Sequence, residues 1–442
     1  MSSLPSPKPA FVVLLGKEFG ELFASRAWWI LLAAMGPLVG ATFINAVRTY
    51  GEASGLNGTS AGVGEAFAPL IGIWAPTFSA CELAAAFLLP FVAIRVVSGD
   101  RMSGALKLEL QRPMANFTRI GAKAVVLLAG WTIASLPTAI ALVLWRAYGG
   151  ALFPPELATI ALGHFLNGGL TIALATAAAT TTSHPSTAAI VTLAVTVGTW
   201  IVNFVAAVQG GWWERAAGYT PTAMVAEFQH GLLRLDVVLV ALVLAIAGLA
   251  VAAIWLRLGA PTRSRVLSSV AVGGAAALAI AASATVRTSW DTSEGRRNSF
   301  SLADQAALHQ IHDPLSIVAH LAPEDPRRSD LEHRALSKLR RVMNVDVRYE
   351  SATSIGLFEQ TADRYGEIWY ELDGRQAVSR VTTVDGVLET IYALARVAGP
   401  REEDREIFRG YPLPAAPAGA APLFYGIWPA VVAATAFFFQ RR

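Results

Sequence analysis

The sequence predicts a polytopic α-helical membrane protein that also carries an α/β domain outside the bilayer. Three observations predict it. Of 442 residues, 54% are hydrophobic and 15% charged, where a soluble chain carries about 25% charged residues. Apolar windows long enough to cross a bilayer recur along the chain. One polar stretch, Arg287 to Pro422, holds 17 of the 35 basic and 21 of the 32 acidic residues. A mean hydropathy of +0.47 agrees. This composition excludes a disordered chain, a disulfide scaffold and an ordinary cytosolic enzyme. A net charge of +3 gives no argument for a nucleic-acid partner. Cys81 is the one cysteine, so no internal disulfide forms.

Residues 1–26 hold the first element. Phe11, Leu15, Phe19, Leu22 and Phe23 fall on one helical face, with Lys17, Glu18 and Glu21 opposite. Such a helix lies flat at the membrane surface; the alternative is an extension of the first span. A span needs about 20 apolar residues. Ala27–Val47, Ala124–Trp145, Val237–Leu256 and Val266–Val286 are charge-free and bounded by charges. Phe67–Ile94 is interrupted by Glu82 alone, and Leu423–Phe439 closes the chain. Leu157–Trp213 contains no Asp, Glu, Lys or Arg, and Ser183-His184-Pro185-Ser186 supplies the turn that splits it in two. Eight spans result.

Lys and Arg set the orientation. With the N-terminus cytoplasmic, fourteen basic residues lie in cytoplasmic segments and four in the opposite short loops. Both termini are therefore expected in the cytoplasm, and residues 287–422 outside the cell membrane, joined to the last span (423–439) by the linker Pro412–Pro422.

Within 287–422, Ile317–Leu321 reads as a strand and Ser329–Met343 as a helix with Leu331, Ala335, Leu336 and Leu339 on one face. Val345–Tyr349 alternates as a strand. Glu367–Leu372 and Gln376–Val381 flank Asp373-Gly374, a strong hairpin signal. Thr383–Val397 closes with a helix. The order β-α-β, then β-β-α, is thioredoxin-like, yet the domain holds no cysteine and so lacks the thiolate that redox chemistry needs. His309, His312, His320 and His333 are its metal-ligand candidates, read as solvated or capping groups, and no metal or cofactor is expected. Nothing in the chain pairs a nucleophile with a base, so the chain is not expected to be an enzyme.

The loop after the second span (98–119) is the most informative segment. It reads Ser98-Gly99-Asp100-Arg101-Met102-Ser103-Gly104-Ala105-Leu106-Lys107-Leu108-Glu109-Leu110-Gln111-Arg112-Pro113, and Gly121-Ala122-Lys123 opens the next span. Ala105–Gln111 alternates like a strand, but its Leu, Lys, Glu and Gln favour a short helix, stopped near Pro113. With Lys17-Glu18 and Arg26-Ala27-Trp28, this run resembles type-2 ATP-binding-cassette (ABC) exporter permeases over about residues 9–260. It departs from the commonest pattern where Asp100 stands for Glu and Ala105 follows Gly104. The resemblance implies a six-span permease domain (27–260), two further spans (266–286 and 423–439), and a dimer, homomeric or heteromeric. Asp100, Arg101, Gly104, Leu106, Leu110, Arg112 and Pro113 are then the ATPase-coupling residues. Residues 291–397, with Asp291-Thr292-Ser293, Asp313-Pro314-Leu315 and Tyr365-Gly366-Glu367-Ile368, resemble the N-terminal half of the auxiliary subunit of gliding-motility-type ABC transporters.

No G-x-x-x-x-G-K-[ST] phosphate loop occurs, so an exporter of this kind needs a separate cytoplasmic ATPase. Ionisable groups within spans default to functional candidates. Glu82, His164 and Asn203, with Asn45 and Asn167, are the intramembrane polar residues expected at outer-leaflet depth, either on a substrate path or as ties between helices. Met224, Val225, Phe228 and Leu232 make one face of a short helix between the fifth and sixth spans. The leading function is an ABC exporter permease. The alternative is a mechanotransmitter that moves the outer domain against an envelope partner.

Overall fold

In a computed structural model of the chain, the described residues are 10–53, 69–104, 111, 113–209, 212–286, 288–294, 296–322, 325–350, 364–400, 413 and 415–440. Among them, eight helices are long and apolar enough to cross a membrane. They are Arg26–Ala53, Leu70–Met102, Asn116–Ala147, Pro154–Thr181, Pro185–Ala206, Leu235–Trp255, Thr262–Ser283 and Ala420–Gln440. The chain is a polytopic helical membrane protein. The second and third spans each bend, at Leu88 and Ser135, just ahead of Pro90 and Pro137. A proline lacks the N–H for the ladder and pushes its ring at the carbonyl four residues back.

The chain forms two compact units, 1–292 with 410–442, and Ser293–Arg409. In the first, the fourth span is central and touches spans two, three, five and six. Its small residues allow close approach without a hydrophobic driving force in lipid: Gly163 lies under Phe228, and Gly168 under Trp131. The seventh span packs on the sixth, and the eighth on the first. Gly36 and Gly40 of the first span receive Trp428 and Phe424 of the eighth, and Trp428 Nε1 donates to the Leu32 carbonyl at 2.7 Å.

A short antiparallel ribbon joins β1 (Leu232–Arg234) to β2 (Ser289–Asp291). It ties the start of the sixth span to the end of the seventh. The polar domain expected from residue 287 therefore begins later, at Ser293, because 289–292 pair with the membrane unit.

The second unit is a four-stranded sheet of β3 (Leu315–Ala319), β4 (Val345–Tyr349), β5 (Ile368–Leu372) and β6 (Arg375–Ser379), in the order β4-β3-β5-β6. β3 runs parallel to β4 and antiparallel to β5. The turn between β5 and β6 places Asp373 at φ 50° and Gly374 at φ 71°, the left-handed pair that a two-residue hairpin requires. β3 starts two residues before the expected Ile317, since its register with β4 runs from Leu315↔Val345 to Ala319↔Tyr349. The expected 329–343 helix is Pro326–Asp330, a wider turn at Leu331–Leu336, then Ser337–Val342. Leu331, Ala335, Leu336 and Leu339 are buried in one core with Val387, Leu388 and Ile391 of the helix Val384–Ala395.

Candidate functional site

One end of the membrane unit holds a buried charge cluster. The N-terminal helix, Ala10–Ala24, brings Lys17, Glu18 and Glu21; the end of the second span brings Asp100; the start of the third brings Lys123. Lys123 Nζ lies 2.7 Å from Glu18 Oε2 and 2.5 Å from Asp100 Oδ2. Lys17 Nζ lies 3.1 Å from Asp100 Oδ1 and 3.0 Å from Glu21 Oε1. Glu18 was expected on the outer charged face of its helix; its side chain is instead wholly buried. A buried carboxylate persists when a counter-charge meets it, and Lys123 supplies one. Burial pushes the Glu18 carboxyl up from its ordinary range, and Lys123 opposes that shift. Burial raises Glu21 in the same way, opposed by the hydrogen bond from Lys17. The carboxylates of Glu18, Glu21 and Asp100 converge within 4.8 Å, a spacing suited to a cation; the ammonium groups of Lys17 and Lys123 occupy that place.

The cluster sits at the root of the 98–119 loop. Arg101 Nη1 donates to the Thr182 carbonyl at 2.7 Å, pinning the second span to the turn after the fourth. The second-span helix ends at Gly104, which caps it at φ 79°, in the left-handed region. Leu106, Leu110 and Arg112, and the short helix expected around them, lie outside the described residues. Pro113 stands in a bend just before the third span begins at Asn116.

The expected intramembrane polar residues separate. Glu82 and Asn167 line one cavity of about 270 Å³ with Thr171, Thr196, Thr199 and Trp200. His164 is buried outside its lining, stacked on Phe78 at 5.4 Å between ring centroids, with Nε2 3.4 Å from Gln229 Nε2. Asn203 accepts the Thr220 hydroxyl at 3.0 Å, tying the fifth span to the short helix Pro221–Gln229. That helix buries Met224, Val225 and Phe228, while Leu232 belongs to β1. Asn45 accepts from Arg48 at 2.8 Å on an exposed surface.

Comparison with protein families, with curated proteins and with solved structures finds no match. The arrangement offers a charge-locked junction between the N-terminal helix and a loop root, and a small, largely apolar cavity with a few polar side chains among spans two, four, five and six.

In the second unit the described histidine side chains stand apart, and that of His333 lies outside the described residues. His309 caps the helix Leu302–Leu308, His312 Nδ1 lies 3.0 Å from the Gln310 carbonyl, and His320 Nδ1 lies 3.7 Å from Glu350. The inward turn of Glu18 was missed in the sequence because its partner lies 105 residues away. A charge on an otherwise apolar helix stripe, matched by a lysine near the start of a later span, was the available signal.

Proposed function

We propose that this chain is the permease subunit of an ATP-driven ABC-type transporter, an exporter, working as a dimer in the cell membrane with a separate ATPase docked on the 98–119 loop. The observation that carries the reading is the Glu18–Lys123–Asp100 cluster. A cytosolic ATPase acts through the surfaces it touches, and this cluster couples two of them, the N-terminal helix and the loop root, to spans two and three. Force applied at the loop then moves the bundle as a unit. Spans one to six form the permease, with the fourth at the centre, and spans seven and eight are additions on its flanks. Both termini are cytoplasmic, and the unit between those spans is a cysteine-free thioredoxin-like module outside the membrane; its strand order and the parallel β3–β4 pair support that reading. The chain itself carries no catalytic step. Glu82 and Asn167 line the transport path.

A second reading has one observation in its favour. The outer module is tethered by the seventh and eighth spans, which pack on the sixth and the first. Bundle motion would then move both tethers, as a force transmitter acting on an envelope partner requires.

Replacing Leu106 and Leu110 with Asp tests the docking assignment. The expected result is loss of the copurifying ATPase, or hydrolysis uncoupled from transport, with the permease still in the membrane. Normal ATPase binding and transport in that variant would overturn it. Thiol labelling of Asp373→Cys in intact cells tests the topology, and labelling only after the membrane is permeabilised would reject it.

A further inference from the structure

Beside the charge cluster lies a second cavity, of about 840 Å³, bounded by the break after the N-terminal helix, the last turns of the second span and the start of the fifth. Arg26 and Arg95 line it. Arg26 opens the first span, and Arg95 stands seven residues before Met102, where the second ends, about 10 Å along the helix. Both arginines stand where the apolar stretches 27–47 and 67–94 give way to charge, the position at which basic side chains meet lipid headgroups. Both are exposed, and neither has a hydrogen-bond or ion-pair partner among the described residues.

The acidic groups of the neighbouring cluster are hydrogen-bonded to lysines, not to the arginines. Glu21 pairs with Lys17, and Asp100 with Lys17 and Lys123. With buried Glu18 included, four basic side chains face three carboxylates, so Arg26 and Arg95 turn a wall that is otherwise one charge negative into one that is one charge positive.

A second, independent feature points to a ligand. Ser25, at the helix break, also lines the cavity; it is 9% exposed, and its Oγ is buried with no hydrogen-bond partner. Buried hydroxyls are ordinarily paired, so an orphan one calls for an explanation. Pro185 and Ser186 bring the first turn of the fifth span to the same wall, where helix N–H groups without intrahelical acceptors favour an anion. Phe91, Ile94 and Ala189 make the remaining wall apolar, and Phe91 is 46% exposed.

We propose that this cavity binds the phosphate of an anionic phospholipid, with Arg26 and Arg95 clamping the phosphate oxygens, the Ser25 side chain turning its buried hydroxyl about χ1 to donate to one of them, and Phe91 and Ile94 seating the glycerol and upper acyl chain. Paired guanidinium groups fit phosphate geometry. Basic pockets between spans at interfacial depth recognise lipid headgroups. The apolar wall and the volume, several times that of a phosphate ion, select a lipid over the free ion. The site is independent of the transport reading, since it concerns what surrounds the protein rather than what crosses it.

The test uses full-length protein, stripped of lipid in detergent and offered phosphatidylglycerol or phosphatidylcholine, with retained lipid counted by native mass spectrometry. Wild type is expected to retain phosphatidylglycerol in preference to phosphatidylcholine. The double variant Arg26→Gln/Arg95→Gln should lower phosphatidylglycerol retention by about tenfold or more. Ser25→Ala removes a hydroxyl that the fold does not use, so it leaves the fold intact and should lower retention several-fold. That variant keeps the proposal falsifiable if the double variant misfolds. Unchanged retention in Ser25→Ala and in a folded double variant would overturn the site. Displacement of the lipid by inorganic phosphate at equal concentration would overturn the lipid assignment in favour of the free anion.

Discussion

Lys123 and Glu18 meet at 2.7 Å with 4% and 0% of their side chains exposed, across 105 residues of sequence. Their pairing turns a helix that the sequence would leave lying on the membrane into a fixed part of the bundle. Two carboxylates depend on the one ammonium group, since Asp100 lies 2.5 Å from the same Nζ.

Lys123→Met should therefore be severely destabilising. It leaves buried Glu18 with only the longer contact to part-exposed Lys17, at 3.5 Å, and removing one partner of a buried pair costs about 3–5 kcal/mol. Adding Glu18→Gln should recover much of the loss, because an amide tolerates burial far better than an orphaned carboxylate. Urea or thermal unfolding of the purified chain, followed by tryptophan fluorescence, would measure both. Equal stability of the single and double variants would show that Glu18 does not depend on Lys123.

The eighth span is held by the shape of the first. A Cβ placed on Gly40 would lie 2.5 Å from the Cβ of Phe424, and one on Gly36 2.2 Å from Trp428 Cδ1. Gly40→Leu should push the eighth span off, at a cost of about 1–3 kcal/mol or more for overpacking. Trp428→Phe removes the donor to the Leu32 carbonyl and should cost about 0.5–1.5 kcal/mol. Disulfide trapping between introduced cysteines on the two spans would report the loss of contact, and undiminished trapping in Gly40→Leu would contradict the packing.

What the sequence made legible follows from range. The spans were readable because each is an apolar window closed by charges, a local pattern. The β5–β6 hairpin was readable because Asp373-Gly374 specifies the turn by itself. The expected β3 began two residues late, because an apolar run marks a strand without marking its ends; its buried face is Leu315, Ile317 and Ala319, alternating with Ser316 and Val318. What escaped was long-range. The three-residue β1–β2 ribbon pairs Leu232 with Asp291, and no periodicity emerges from so short a run. Of the polar residues expected in the membrane, Glu82 and Asn167 share a cavity, while Thr220 takes Asn203 aside as a tie between helices and Phe78 covers His164.

Acid should loosen the second unit through Asp325. The Arg327 side chain donates to its carboxylate at 2.7 Å, the Arg327 backbone N–H at 2.9 Å and the Tyr365 hydroxyl at 2.8 Å. These bonds, the Arg327 side chain's first, hold the carboxyl far below the ordinary aspartate value of 3.8. The unfolded chain then takes up the proton first as pH falls. The stabilisation is present in full above 3.8 and is lost as pH drops through the folded value. Hydrogen-exchange protection of residues 326–342, corrected for intrinsic rates, should fall in that acid window in wild type and stay flat in Asp325→Asn. A fall of equal size in both would assign the acid sensitivity elsewhere.

The last prediction isolates the backbone at the loop root. Gly104 ends the second-span helix at φ 79°, and among the described residues no atom beyond its chain neighbours lies within 4 Å of where its Cβ would be. A side chain there meets no neighbour among those residues, so within them the effect of substitution comes through the backbone. An L-residue in the left-handed region costs roughly 1–2 kcal/mol, and Asn tolerates it better than a β-branched residue does. Gly104→Val should relieve the strain by leaving that region, which redirects the chain just where it departs toward the proposed ATPase contact. Gly104→Asn should keep the native direction. If the loop carries the stroke, Val should lower ATP-coupled transport strongly while Asn retains most of it, with both variants folding and inserting normally. Matching transport in the two variants would mean that the direction set at Gly104 is not what the ATPase uses.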